Sequence, residues 1–287
     1  MKKILMAAAI IGLLAMPSMA EGWFVEFGDW YAQPDNSQVF GEFVDDSDDL
    51  EIKNAVEFDM SNDHTWSLGF GYDTGDMGVF EFSYWNGYDN DYSFFTDDSQ
   101  SDGNSSTWFT PGGNSWDEMY YGFTTQAWTV DLTWTNGFGG EGKWSGEYTM
   151  GLRYFDYELA AYNENYDAID SWVRKTWDNN SNGLGFTGGV TGIYSFNDRY
   201  SVYGGFDVAF LRGDRDVDTY WDQGDTSSGE DMAFSYNNEL FNMFGFDMGF
   251  KFFLTDSLYG DFGYKYGTWM DVGTNMMFKE FGKIDID

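Results

Sequence analysis

Residues 244 to 252 read Phe-Gly-Phe-Asp-Met-Gly-Phe-Lys-Phe, with a large apolar side chain at every second position and glycine or charge between. A period of two is the period of a β-strand, here with one apolar face and one face of glycine and charge. After Thr255-Asp256-Ser257 the pattern resumes, with Leu258, Phe262, Tyr264 and Tyr266 set against Asp261, Gly263 and Lys265. Three similar pairs precede it. Trp66, Leu68, Phe70 and Tyr72 turn at Asp73-Thr74-Gly75-Asp76 into Phe80, Phe82 and Tyr84. Trp128, Val130, Leu132 and Trp134 turn at NGFGGEG into Trp144, Tyr148, Met150, Leu152 and Tyr154. Phe186, Val190 and Tyr194 turn at SFNDRY into Val202, Phe206, Val208 and Phe210. Single strands near 23–31 and 274–281 flank the four pairs.

The pairs are separated by long acidic stretches, 32–62, 86–117, 158–182 and 213–232, so short and long connections alternate. Outer-membrane barrels have this pattern: even strand numbers, short turns at one end, long loops at the other, apolar side chains outward. In hydrocarbon every backbone group must pair within the protein, so the sheet must close. The expected fold is therefore all-β, a transmembrane antiparallel up-and-down β-barrel of about ten strands, with eight or twelve as neighbouring counts. A soluble sandwich or barrel also alternates. It would have to fill its interior with the aromatic face, and it leaves the alternation of connection lengths unexplained.

Composition agrees with strands that have lipid on one side. Aromatic residues are 21% of the chain, with 36 Gly and only 3 Pro, while mean hydropathy is −0.47. No later segment holds the run of about 18 apolar residues that a membrane helix needs. The absence of cysteine excludes a disulfide scaffold and thiolate metal sites. A net charge of −35 repels nucleic acid and attracts cations. Lys2 and Lys3, the apolar run Ile4 to Ala15, and Ser18-Met19-Ala20 read as a secretory signal peptide over residues 1–20. Residues 21–287 are then expected to form a single barrel domain with long acidic extracellular loops, in a bacterial outer membrane.

GLRYFDYE (151–158) and GLGFTGGVTGIYSFNDRYSVYGGFDVAFLRGD (183–214) resemble the Legionella-type major outer membrane protein family of pore-forming barrels. Members of that family show a G-[LV]-R-Y strand, then a glycine-rich strand, a short turn, and a strand of the form L/V-Y-G-G…L-x-G. The resemblance implies an outer-membrane barrel with channel activity.

The lumen phase selects Glu81, Asp131, Glu147, Asp207, Asp247 and Asp261, with Arg153, Lys251 and Lys265 as counter-charges. Such carboxylates favour passage of small cations or small solutes through an open lumen. In a barrel this narrow the lumen can instead be filled by side chains, with acid–base pairs such as Asp247 and Lys251 neutralising each other. Catalysis is not expected: the single histidine is His64, and no nucleophile motif appears. No cofactor is expected. DRDVDTYWDQGD (214–225) places Asp214, Asp216, Asp218, Asp222 and Asp225 at positions 1, 3, 5, 9 and 12 of a calcium-loop count, which raises Ca2+ in the acidic loops. Thr219 stands where that loop needs glycine, and a solvated acidic loop that attracts cations loosely remains the alternative. Trp66, Tyr84, Trp128, Trp134, Trp144 and Tyr154 fall near strand ends, where aromatic rings favour the membrane interface. The leading expectation is a passive, cation-preferring porin-like channel. The alternative is a structural or adhesive surface barrel with a closed lumen and cation-binding acidic loops.

Overall fold

Tight turns at one end set the architecture. The computed structural model describes residues 22–35, 39–46, 49–57, 63–97, 105–107, 118–140, 142–166, 172–223, 227–255, 258–270 and 276–286. The expected signal segment and Asp225 lie outside them. The strands are β1 (Trp23–Asp35), β2 (Val39–Asp46), β3 (Asp49–Glu57), β4 (Asp63–Asp73), β5 (Val79–Asp97), β6 (Ser105–Thr107) and β7 (Glu118–Gly139). They continue as β8 (Trp144–Tyr166), β9 (Trp172–Asn197), β10 (Tyr200–Gln223), β11 (Ser227–Thr255), β12 (Leu258–Met270) and β13 (Met276–Ile286). Ten close into a barrel in the order β1-β13-β12-β11-β10-β9-β8-β7-β5-β4, and β3-β2-β6 form a separate three-stranded sheet. Every pairing is antiparallel.

Between β4 and β5 the Gly75 N–H donates to the Asp73 carboxylate at 2.7 Å, and Gly75 and Gly78 take φ of 70° and 91°. Between β9 and β10 the Asn197 side chain accepts from the N–H groups of Arg199 and Tyr200 at 2.8 and 3.1 Å. Such side chain-to-backbone bonds hold a turn without help from neighbours. The seam is less regular: β1 and β13 pair with a register break between Phe27 and Tyr31, and β13 runs past Phe281 to Ile286.

The outward face carries the apolar period. Leu68, Phe70, Phe82, Leu132, Leu152, Phe186, Phe206, Phe246 and Phe250 are all exposed on the barrel exterior. Trp66, Tyr84, Trp128 and Tyr154 form one row of rings across four strands, with centroids 5.3, 6.1 and 5.3 Å apart. Nearer the tight turns, Trp134 packs on Tyr148 at 5.4 Å and Trp144 on Tyr194 at 4.8 Å. Two aromatic rows bounding an apolar band are the girdles of a membrane barrel. Above the upper row the exterior turns polar along one cross-strand row, Asp156, Asn182 and Asp214.

The stretches expected as long loops are largely strand. β8, β9, β10 and β11 contain 23, 26, 24 and 29 residues, whereas about 9–11 suffice to cross a bilayer. The excess stands beyond the band as a wall of paired strands. Its inner face is buried as far up as Thr125, Leu159 and Asn179, while its outer face is largely polar, so its Asn, Asp, Ser and Thr residues show no apolar period, and backbone ladders hold it. β1, β4, β12 and β13 are short, at 13, 11, 13 and 11 residues, so the wall rises on one side only. β12 meets β11 only from Asn242 onward, which leaves Ser227–Phe241 bonded to β10 alone among the described residues. β5 likewise parts from β4 after Asn86 and continues with β7 alone.

Candidate functional site

The alternation that faces lipid outside places glycine and charge inside. Arg153 on β8 lies opposite Asp131 on β7 and binds it through two bonds, Nε to Oδ1 at 2.7 Å and Nη2 to Oδ2 at 2.6 Å. Its Nη1 also lies 4.0 Å from Asp207 Oδ2, so one guanidinium serves carboxylates from β7 and β10. A planar fork against a carboxylate is among the strongest charge-assisted geometries. Glycine makes room for these groups. A Cβ at Gly245 would meet the Asp207 carboxylate, at Gly205 the Asp247 carboxylate, and at Gly69 the Glu81 carboxylate. The lumen glycines let long polar side chains lie flat across the next strand rather than widen a pore.

The remaining charges pair across strands. Asp247 stands opposite Lys265, and Lys251 opposite Asp261, rather than Asp247 with Lys251. The reason is geometric: residues four apart on a strand are about 13 Å apart, while directly opposed ones are about 5 Å apart. Tyr203 donates its hydroxyl to Asp261 at 2.9 Å, and Lys251 Nζ sits 4.2 Å above the Tyr259 ring. Glu147 also falls on the inward phase but is exposed, near the tight-turn end. A cavity of about 190 Å³ opens beside Arg153, and its charged lining is Glu26, Glu81, Asp131, Arg153, Asp207 and Lys265. Glu26 had no legible signal: β1 carries aromatic residues in both phases, Trp23 and Phe27 in one, Phe24 and Trp30 in the other.

Beyond the cavity an apolar layer crosses the lumen. Phe155, Tyr157, Leu159, Leu211 and Phe241 are 0% exposed and cluster with Ala127, Ala209, Met243 and Trp269. Phe155 meets Phe241 edge-on at 5.0 Å and Trp269 at 5.8 Å, and Trp85 meets Trp269 at 5.9 Å. Rings from β5, β8, β11 and β12 therefore touch across the interior. Sequence reasoning missed the layer although a signal existed, since Phe155, Tyr157 and Leu159 continue the lumen phase of Gly151 and Arg153.

The calcium-loop spacing does not fold as a loop. Asp214, Asp216, Asp218 and Asp222 lie in β10, where side chains two residues apart point the same way about 6.8 Å apart along an extended chain. Asp214 instead accepts the N–H of Asn238, whose φ of 62° marks a bulge in β11, at 3.1 Å. Among the described residues no three acidic or histidine side chains converge on a metal position. Asp218 faces Asp178 across β9 and β10, and the Asp178 carboxyl is pushed above its ordinary range, first by burial and then by Asp218. A raised folded-state pKa means this pair costs stability at neutral pH, a cost relieved as pH falls through that pKa. Asp178→Asn should therefore raise the denaturation midpoint at pH 7 slightly, with the gain shrinking in acid, as midpoint titrations at several pH values will read.

No family model matches the chain, and no curated protein sequence does. Among solved structures, the outer membrane protease OmpT of Escherichia coli aligns with TM-score 0.49 and 9% identity, over 94% of this chain and 97% of that one. The toluene transporter TodX of P. putida aligns with TM-score 0.37 and 10% identity, over 94% and 68%. The toluene transporter TbuX of Ralstonia pickettii aligns with TM-score 0.30 and 10% identity, over 94% and 90%. The fold rests on the strand pairings themselves. A closed antiparallel barrel with an apolar exterior band between aromatic rows is built for a bilayer, and its bilayer is the bacterial outer membrane.

Proposed function

We propose that the protein is a closed-lumen outer-membrane surface barrel whose working part is the wall of strand above the bilayer. The aromatic layer carries this reading. The rings of Phe155, Phe241 and Trp269 are buried and pack with centroids 5.0 and 5.8 Å apart, partly buried Trp85 joins them from β5 at 5.9 Å, and a packed layer of that kind blocks the passage of water. The interior below it is a tied network: Asp131 and Asp207 are held by Arg153, which braces the barrel rather than poising a base beside a nucleophile. The reading is non-catalytic, with outer-membrane lipid as the constant partner and cations drawn loosely to the acidic wall.

A cation-preferring channel is the second reading. It draws on the resemblance to pore-forming barrels and on the cavity lining, where Glu26, Glu81, Asp131 and Asp207 face only Arg153 and Lys265. Conductance in a planar bilayer separates the two. The wild-type protein should show no steady current. Phe155→Ala with Trp269→Ala should leak, with a preference for cations that weakens with salt, because fixed charge reaches only about 10 Å at 0.1 M. A steady wild-type current would make the channel the better reading.

A further inference from the structure

We infer that the one-sided edge of β11 takes up an extended cationic peptide by strand addition. The inference goes beyond the lumen reading and holds whether or not the interior conducts. From Ser227 to Phe241, β11 is bonded to β10 and to no other described strand. An edge of this kind presents a row of N–H and C=O groups that template another chain. From Glu230 to Tyr236 the register against β10 runs without a break, so the edge is regular over a length that suits a short added strand. Both faces are uncovered at residues 233–238, which are all exposed, with Phe234 at 48% and Tyr236 at 43%. An incoming strand would thus find apolar neighbours beside its backbone partners.

Natural edges are usually blunted by lysine or proline. Residues 227–241 contain neither, and no arginine, and their bulge at Asn238 lies outside the regular stretch 230–236; their charges are Glu230, Asp231 and Glu239, the last paired with Arg215 at 3.2 Å. The adjoining part of β10 adds Asp214, Asp216, Asp218 and Asp222 against Arg212 and Arg215. Charge complementarity therefore selects a basic partner. A second copy fits poorly. Among the described barrel strands the other one-sided edge, on β5, carries Asp89, Asp91 and Asp97 with no basic residue, so two copies joined through their barrel edges would set acid against acid. Like charges directly opposed across strands destabilise the pairing.

The test uses the full chain in lipid nanodiscs and a fluorescent nine-residue peptide in which lysine alternates with valine and tyrosine. Saturable binding is expected from fluorescence anisotropy, with affinity at least about tenfold lower for the same peptide methylated at every backbone nitrogen, since methylation keeps the charge and removes the ladder donors. Glu230→Lys with Asp231→Lys should also weaken binding about tenfold by removing the charge complementarity. Asp76→Lys, in the turn at the opposite end of the barrel, should leave it unchanged. Equal binding of the methylated peptide would reduce the interaction to charge alone and overturn strand addition. Absence of binding at millimolar peptide would overturn it too, as would a dimer of the protein that the peptide fails to dissociate. The methylation comparison uses wild-type protein, so it stands even if the doubly charged variant fails to assemble.

Discussion

Replacing Arg153 with Met is expected to cost about 3–5 kcal/mol of stability, the range for removing one partner of a buried ion pair. The side chains of Arg153 and Asp131 are only 17% and 13% exposed, and both bonds of the fork are short. Methionine fills much the same space, so the loss is not a cavity effect. It comes from leaving Asp131, and in part Asp207, without the guanidinium that now holds them. Arg153→Met combined with Asp131→Leu should recover most of the deficit, because the orphaned charge is removed with its partner. Arg153→Lys should fall between, since lysine offers a point charge where a two-pronged fork now fits. Urea midpoints for refolded protein in vesicles will read the series. A double variant no better than the single would mean the fork is not the source of the cost.

The second large effect concerns two phenylalanines on one strand. Phe246 is 42% exposed and Phe234 is 48% exposed, so accessibility alone ranks them together. Phe246 lies in the band between the aromatic rows, and Phe234 lies in the wall above it. Phe246→Arg should cost about 2–4 kcal/mol if it sits near mid-bilayer. Phe234→Arg should stay within about 0.5 kcal/mol, as a surface change in water does. Insertion into vesicles, followed by band migration without boiling, measures both. Equal damage at the two positions would mean that lipid covers β11 well above the girdle.

These contrasts explain what could be seen in the residues. β4, β5, β7 and β8 were legible up to Trp66, Tyr84, Trp128 and Tyr154, because lipid outside and polar packing inside impose opposite demands on successive positions. Above those rings lipid no longer covers the outer face, polar residues such as Glu158 and Asn180 stand exposed there, and strand looks like loop. Glu81, Asp131, Arg153, Asp207 and Lys265 were found by phase alone. Their partners were not, because phase fixes the face of a strand and says nothing of which residue stands opposite. The aromatic layer was hidden for a related reason: Tyr154, Phe155 and Tyr157 put aromatics in both phases, and an apolar side chain in the lumen phase breaks the pattern used to find strands.

The seam has a consequence for how the molecule forms. Each pairing in the barrel except β1 with β13 joins strands that follow one another along the barrel wall in chain order, so those pairings can grow hairpin by hairpin. β1 with β13 must bring together nearly the whole length of the chain, and contacts of such wide sequence separation form late. Until then the sheet is an open ribbon free to choose its curvature. Trp85, Phe155, Phe241 and Trp269 come from four strands distributed around that ribbon, and they meet only when it has curled to the right circumference. The layer across the lumen is thus a mandrel. Its rings fit together at the circumference at which Val25 and Phe27 stand opposite Ile286 and Ile284.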